Sequence, residues 1–268
     1  MKRNRRHQHL SLSRSLTIAT VLVVATQLTP AIVQAYGQAA WPAIGVNYER
    51  QFPHVFKRHG PPVQKIALTF DDGPDLVYTP KILDTLRKEG VHATFFVLGV
   101  NAAKHPGMIR RIVQEGHALG NHSFDHRNLI KSTQAKIKWE IRATDQVLVR
   151  ISGQSPRWFR APYGNINPLV LNELNQLGYR AVNWSVDSDD WRSLSARQVK
   201  QNILRNVKPG AIILQHCAAG SEKEDLSGTV RALPDIIHTL KRRGYRFVTI
   251  PQLFAPDSST VHARPSYH

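Results

Sequence analysis

One cysteine, Cys217, occurs in the whole 268-residue chain. No internal disulfide is possible, and the fold must be held by its core alone. No cysteine follows the apolar stretch near the N-terminus, which excludes a lipoprotein anchor. Acidic residues are scarce, 19 against 36 basic ones. Repeats, low-complexity tracts and nucleic-acid motifs are missing too, so solenoid and nucleic-acid-reading classes find no support. A long uninterrupted apolar run is also lacking. Residues 16–35 are broken by Thr17, Thr20, Thr26, Gln27, Thr29, Pro30 and Gln34, a weak membrane span.

What the N-terminus does contain is a basic stretch (Lys2, Arg3, Arg5, Arg6, Arg14) with no acidic residue, then the mostly apolar Leu16 to Leu28, then Val33-Gln34-Ala35. That order predicts a secretory signal peptide over 1–35, cleaved after Ala35. An uncleaved anchor is the alternative. His7-Gln8-His9 after Arg5-Arg6 argues against the twin-arginine route. The expected place is therefore outside the cell or on its wall, with no integral membrane domain after cleavage. Without residues 1–35 the chain keeps 31 basic and 19 acidic residues, a net charge of +12. Such a charge favours attraction to wall teichoic acids, peptidoglycan carboxylates and anionic lipid heads. It is spread over helix faces, so it gives affinity without identity.

Residues 36–62 hold Pro42, Pro53, Pro61 and Pro62 with scattered aromatics and read as an ordered wrap or linker. From Val63 onward short apolar runs alternate with amphipathic segments. Strands are predicted at 63–70, 92–98, 117–121, 157–160, 180–185, 211–216 and 245–249. Thr79-Pro80 opens a helix that Gly90 follows; His105-Pro106 opens a second, ending at Gly116. Ser132/Thr133 opens a third, with Ile137, Ile141, Leu148 and Ile151 on one face and Gly153 past its end. The last carries Val230, Leu233, Ile237 and Leu240, then Lys241-Arg242-Arg243, a cluster that complements the helix dipole. Seven strands alternating with helices imply an α/β fold, a parallel sheet covered on both faces and closed towards a barrel. The tail 255–268 is polar and is expected to be flexible.

Asp71 and Asp72 stand where the first apolar run stops, before Gly73-Pro74. They could form a solvated turn. Strand alternation would send them to opposite sides and give them different jobs. The third run ends in Gly120-Asn121-His122-Ser123-Phe124-Asp125-His126. Two imidazoles four apart, with a carboxylate from Asp72, make a two-His, one-Asp set with an open position, the pattern of catalytic zinc. Non-haem iron suits the same donors. Further polar clusters end the later runs: Arg160-Ala161-Pro162-Tyr163-Gly164, Asp187-Ser188-Asp189-Asp190-Trp191 and Ile212-Ile213-Leu214-Gln215-His216. In a parallel barrel these ends share one face, where active sites lie.

In order, the motifs Thr69-Phe70-Asp71-Asp72-Gly73-Pro74, His122-Ser123-x-x-His126, Arg160-x-Pro162-Tyr163-Gly164, Asp187-x-x-Asp190-Trp191 and Ile212-x-Leu214-x-His216 resemble those of the polysaccharide deacetylases, carbohydrate esterase family four. The resemblance covers about residues 62–254, which sets a catalytic domain at 63–254. It implies a distorted (β/α) barrel of about seven parallel strands and a divalent metal, most often Zn2+, with Co2+, Mn2+, Ni2+ or Fe2+ as alternatives. By motif, Asp72, His122 and His126 would bind the metal. Asp71 would be the general base for a metal-held water that attacks an acetamide. His216 would be the general acid for the leaving amine. Arg160 would pair with Asp71 and keep it ionised, and Asp190 would orient His216. A backbone N–H near Tyr163 would stabilise the oxyanion. Trp191 and Leu214 would wall the acetyl pocket. Arg127 departs from the pattern, since relatives often carry Pro after the second metal histidine. Cys217 is expected to be structural.

The implied substrate is a GlcNAc-containing polysaccharide, peptidoglycan or chitin oligomers. Selectivity between them is expected in loops such as 99–106, 164–168 and 217–227. An O-acetyl esterase acting on xylan or wall sugars is the alternative on the same site, and replacing His216 should hurt it less. A noncatalytic wall-binding protein would be marked by loss of Asp71 or His216, and both are present. An Fe(II) oxygenase fits the three ligands but not their Asp, Arg and His surround. Oligomeric state leaves no mark in the sequence.

Overall fold

The computed structural model describes residues 47–256. The signal peptide expected over 1–35, residues 36–46 of the extension and residues 257–268 of the tail lie outside the described residues. Nine strands and nine α-helices occur among the described residues. The strands are β1 (Phe56–Lys57), β2 (Lys65–Asp71), β3 (Thr94–Val97), β4 (Ala118–Asn121), β5 (Trp158–Phe159), β6 (Arg180–Val182), β7 (Val186–Asp187), β8 (Ile212–His216) and β9 (Arg246–Phe247). The helices are α1 (Tyr48–Gln51), α2 (Thr79–Glu89), α3 (Gly99–Lys104), α4 (Pro106–Gln114), α5 (Gln134–Ser152), α6 (Pro168–Gln176), α7 (Ala196–Asn206), α8 (Ser227–Arg242) and α9 (Ile250–Leu253).

Every strand pair is parallel, in the order β1-β6-β5-β4-β3-β2-β8-β7, and β9 pairs with the start of β2. The sheet curls into an open, distorted α/β barrel. Two strands go beyond the seven expected. β1 lies inside the 36–62 stretch, where Phe56 pairs with Ala181 and is buried. β7 follows a break in the run expected to continue from 180 to 185. The predicted helix signals operate. Gly90 and Gly153 end α2 and α5 in left-handed backbone, and the Thr133 side chain caps α5 by accepting from the Lys136 N–H. One segment expected as a loop, 99–106, holds α3 instead. No helix of the described residues is long and apolar enough to cross a membrane.

Side-chain alternation along β2 divides the core. Ile66, Leu68 and Phe70 face the helix layer, against Ile82, Leu83 and Leu86 of α2 and Leu233, Ile236, Ile237 and Leu240 of α8. Burying each such side chain contributes about 1.5–3 kcal/mol. Ala67 packs inside the barrel with Phe96, Trp158, Val182 and Ile212. Thr69 and Asp71 follow Ala67 on that inner side, so it grows more polar toward the strand's end. Register then brings the chemistry level: Asp71 pairs with His216 on β8 and with Phe96 on β3.

Candidate active site

Asp71 is the last residue of β2, and its carboxylate is almost fully buried. Arg160, just past β5, donates from Nη1 to Asp71 Oδ1 at 2.7 Å and to Thr69 Oγ1 at 2.8 Å. The rest of its guanidinium is fixed by the Val182 and Asn183 carbonyls at 3.2 and 3.3 Å and lies over the Phe96 ring. Arg160 is wholly buried; burial pulls its pKa down, and the charges of Asp71 and Asp187 oppose that. Asp71 Oδ2 stays free of Arg160 and lies 3.8 Å from His122 Nε2.

Asp72 does not follow the alternation expected from the sequence. Its φ of 71° turns the chain out of the strand. Both carboxylates therefore face the same cluster: Asp72 Oδ1 lies 3.3 Å from His122 Nε2 and 3.3 Å from His126 Nε2. The turn is held from outside, where Asn101 Nδ2 donates to the Asp72 carbonyl at 2.7 Å. Glycine at the next position leaves room for Cys217, because a Cβ on Gly73 would stand 2.4 Å from Cys217 Sγ. Cys217 is itself buried, with its thiol pKa pushed well up, chiefly by burial. It packs under the turn, in keeping with a structural cysteine.

His122 and His126 come from the turn after β4. His122 Nδ1 donates to the Arg160 carbonyl at 2.7 Å, which aims Nε2 at Asp72. That is the outer contact that metal-binding histidines use to fix tautomer and ring direction. The His126 ring meets Tyr163 edge-on, with centroids 4.6 Å apart. Asp72, His122 and His126 form a group whose ligand atoms all lie within 4.8 Å of one another. Asp72 Oδ1 is buried and has no hydrogen-bond partner. A spacing of 3.3 Å between donors matches the edge of a tetrahedron with bonds of about 2.0 Å, the zinc–nitrogen distance. The residues fit a divalent cation. The titration directions agree with that fit. Burial would raise the Asp72 pKa, but contact with His122 and the charges of His216 and His126 hold it well below the usual carboxylate range. Burial and the neighbouring His122 bring His126 down to about 4, leaving it a neutral donor. Burial opposes protonation of His122 as well, yet Asp71 and Asp72 raise its pKa. A cation between these groups would take the place of that proton.

His216 ends β8. Its Nδ1 donates to Asp190 Oδ1 at 2.7 Å, and its backbone N–H donates to Asp190 Oδ2 at 2.9 Å. Asp190 is buried and also accepts from Thr229 Oγ1, on α8, at 2.7 Å. Burial works against the imidazolium, but the charge and hydrogen bond of Asp190, with Asp72 and Asp71 beyond, raise the His216 pKa to about 10. Asp187, three residues before Asp190, is pushed up to about 6 by burial, against the Asp189 N–H it accepts. Leu214 lies two residues before His216 on the same side of β8 and is buried. Tyr163 and Trp191 are exposed, Tyr163 in the turn after β5 and Trp191 beside Asp190.

Of the non-glycine residues with positive φ among the described residues, Asp72, Ser123, His126 and Tyr163 belong to this cluster or its turns, and Asp189 and Ser193 flank the turn that carries Asp190. Strain of this kind gathers where surrounding structure over-determines a functional geometry. Three supporting residues escape the sequence reading: Asn101, Thr229 and Glu140. A signal for the last exists. Glu140 falls on the buried stripe of α5 with Ile137, Ile141 and Thr144, where a charge is out of place.

Comparison with known proteins identifies the family. A family profile described as polysaccharide deacetylase matches residues 58–182. A peptidoglycan-N-acetylglucosamine deacetylase of Bacillus cereus is 46% identical over 190 residues, 71% of this chain and 68% of the relative. The PgdA enzyme of that name from Listeria monocytogenes is 40% identical over 71% of this chain, which spans only 39% of that longer protein. A chitooligosaccharide deacetylase of Azorhizobium caulinodans is 37% identical over 69% of this chain and 92% of the relative. Among solved structures, a peptidoglycan N-acetylglucosamine deacetylase bound to 4-naphthalen-1-yl-N-oxidanyl-benzamide superposes with a TM-score of 0.74 at 42% identity, over 78% of this chain and 97% of that one. A family-four pseudoenzyme from Bacillus anthracis gives 0.69 at 28% identity, over 74% and 68%. With the fold, the ordered motifs and these matches together, the chain belongs to the polysaccharide deacetylases of carbohydrate esterase family four.

Proposed function

We propose that this protein is a secreted, divalent-metal-dependent hydrolase that removes N-acetyl groups from a GlcNAc-containing polysaccharide, with Zn2+ as its metal. The observation that carries the reading is the convergence of three units on one strand-end face. These are the Asp72–His122–His126 donor set, the Asp71–Arg160 pair and the Asp190–His216 pair. Family membership alone would not carry it, since one structural neighbour is a pseudoenzyme. Here both residues able to move protons, Asp71 and His216, stand in register on adjacent strands.

A cation held by Asp72, His122 and His126 supplies Lewis-acid polarisation and lowers the pKa of water. The remaining steps belong to the side chains. Arg160 occupies Asp71 Oδ1, so Oδ2 is the oxygen that takes the proton as water adds to the acetamide carbonyl. A backbone N–H near Tyr163 stabilises the oxygen on which charge develops. His216 is anchored through Nδ1, so Nε2 carries the proton to the amide nitrogen as the C–N bond breaks, giving acetate and a free amine. An amine must be protonated to leave, which makes the raised His216 pKa useful. Trp191 and Leu214 bound the acetyl methyl.

The curated relatives favour peptidoglycan as substrate, with chitin oligomers second. Secretion is supported by the basic-then-apolar order of residues 1–35, and wall attachment by the net charge of +12 that remains without them. The test is acetate release by the purified protein from peptidoglycan and from chitin oligomers, with mass-spectrometric mapping of the deacetylated sugar. Release from peptidoglycan, stopped by a chelator and restored by Zn2+, is expected. Full activity after exhaustive metal removal would contradict the reading.

A further inference from the structure

The turn that carries the two histidines bends into left-handed backbone at Ser123 (φ 71°) and at His126 (φ 63°). Its backbone groups show what holds it there. The Ser123 N–H donates to Asn121 Oδ1 at 2.9 Å, and the His126 N–H to Ser123 Oγ at 3.2 Å. The two N–H groups between them, of Phe124 and Asp125, both donate to Glu140 Oε2, at 2.8 and 3.2 Å. On the carbonyl side, the Gly99 and Val100 N–H groups donate to Ser123 and Phe124 at 3.0 Å each. Gly99 makes that approach possible, since a Cβ there would stand 2.5 Å from the Phe124 ring.

Of the three side-chain acceptors, Glu140 alone is charged and alone comes from outside the strand and its turn. It is completely buried on α5. A buried carboxylate is costly unless hydrogen bonds and countercharges satisfy it. Its second oxygen, Oε1, faces Lys136 Nζ at 2.9 Å and Arg127 Nε at 3.7 Å. Arg127 also pairs with Asp125 at 3.1 Å. The residue that departs from the family pattern thus belongs to the same charge cluster, immediately after His126.

We propose that Glu140 is a positioning residue that fixes the Ser123–His126 turn, and so sets how tightly Asp72, His122 and His126 hold their cation. The proposal rests on reading those three residues as metal ligands. Loss of outer contacts to metal ligands costs about 10–100-fold in metal affinity, and a loss of that size is expected here.

The experiment is titration of the metal-stripped full chain with Zn2+ by calorimetry, for the wild type, Glu140→Gln and Glu140→Ala. The visible spectrum of the Co2+-substituted proteins reports ligand geometry. Glu140→Ala is expected to weaken Zn2+ binding by about 10–100-fold and to change the Co2+ bands. Excess Zn2+ should restore turnover with KM for a chitin oligomer unchanged. Glu140→Gln keeps an acceptor oxygen but not the charge, so it should fall between. If Glu140→Ala does not fold, Glu140→Gln decides, and weakened binding there supports the proposal. Variants that melt earlier yet bind Zn2+ as the wild type does would overturn it, since Glu140 would then only support the fold. A wild type that takes up no divalent cation would overturn the metal-ligand reading first, and the proposal with it.

Discussion

Asp71 with Arg160 and Asp190 with His216 form one half of the site; Asp72 with His122 and His126 forms the other. In the first half, strand register places Asp71 beside His216, and each charge has a partner within 2.7 Å. In the second, turn backbone places the groups, through positive φ at Asp72, Ser123 and His126. There Asp72 Oδ1 is buried between two ring nitrogens without a hydrogen-bond donor. The first half is complete as folded protein, whereas the second, on the proposed reading, would be completed by a cation. Damage to the first half should therefore show in stability and proton transfer, and damage to the second in metal affinity.

The largest expected effect falls on proton delivery. His216→Ala should lower acetate release from N-acetylated substrate by about 10²–10⁴-fold while Zn2+ content stays at the wild-type level. A much smaller loss would favour ester over amide cleavage. Next, Arg160→Met leaves a buried carboxylate without its cation and should destabilise the fold by about 3–5 kcal/mol in urea unfolding. A variant as stable as the wild type would show that this half is not a self-sufficient support.

Asp190→Asn should act through pH. Burial lowers the His216 pKa, but the charge and hydrogen bond of Asp190 together with Asp72 and Asp71 raise it to about 10, so removing the Asp190 charge lets the imidazolium lose its proton at lower pH. The alkaline limb of kcat/KM should move down toward the ordinary value of 6.5, with about tenfold less activity at mildly alkaline pH. The stability sign follows from the same shift. The folded value lies above the unfolded one, so the pair's contribution is full below 6.5 and is lost as pH rises through about 10. The variant should flatten the stability curve across that window. The smallest effect is expected at exposed Trp191, where replacement by Ala should raise KM a few-fold and leave metal binding and folding unchanged.

The sequence made the same division only in part. Motif residues were legible because each stands where an apolar run stops. Their separation into two kinds came from the family resemblance and not from strand alternation, which holds only inside a strand that Asp72 has left. Strand β1 was missed because two residues in a proline-rich stretch carry no period. Helix α3 was read as loop because it is six residues long and opens on glycine. Glu140 and Thr229 lie on helices distant in sequence from the groups they hold, and only a polar residue on an apolar stripe hints at either.

Replacing the two neighbouring carboxylates in turn tests the division most directly, by Zn2+ titration of Asp71→Asn and Asp72→Asn beside acetate release. Asp71→Asn should bind Zn2+ like the wild type and release no acetate, while Asp72→Asn should lose both. Equal loss of Zn2+ in the two variants, or turnover surviving in Asp71→Asn, would contradict the assignment of the proton to Asp71 and the metal to Asp72.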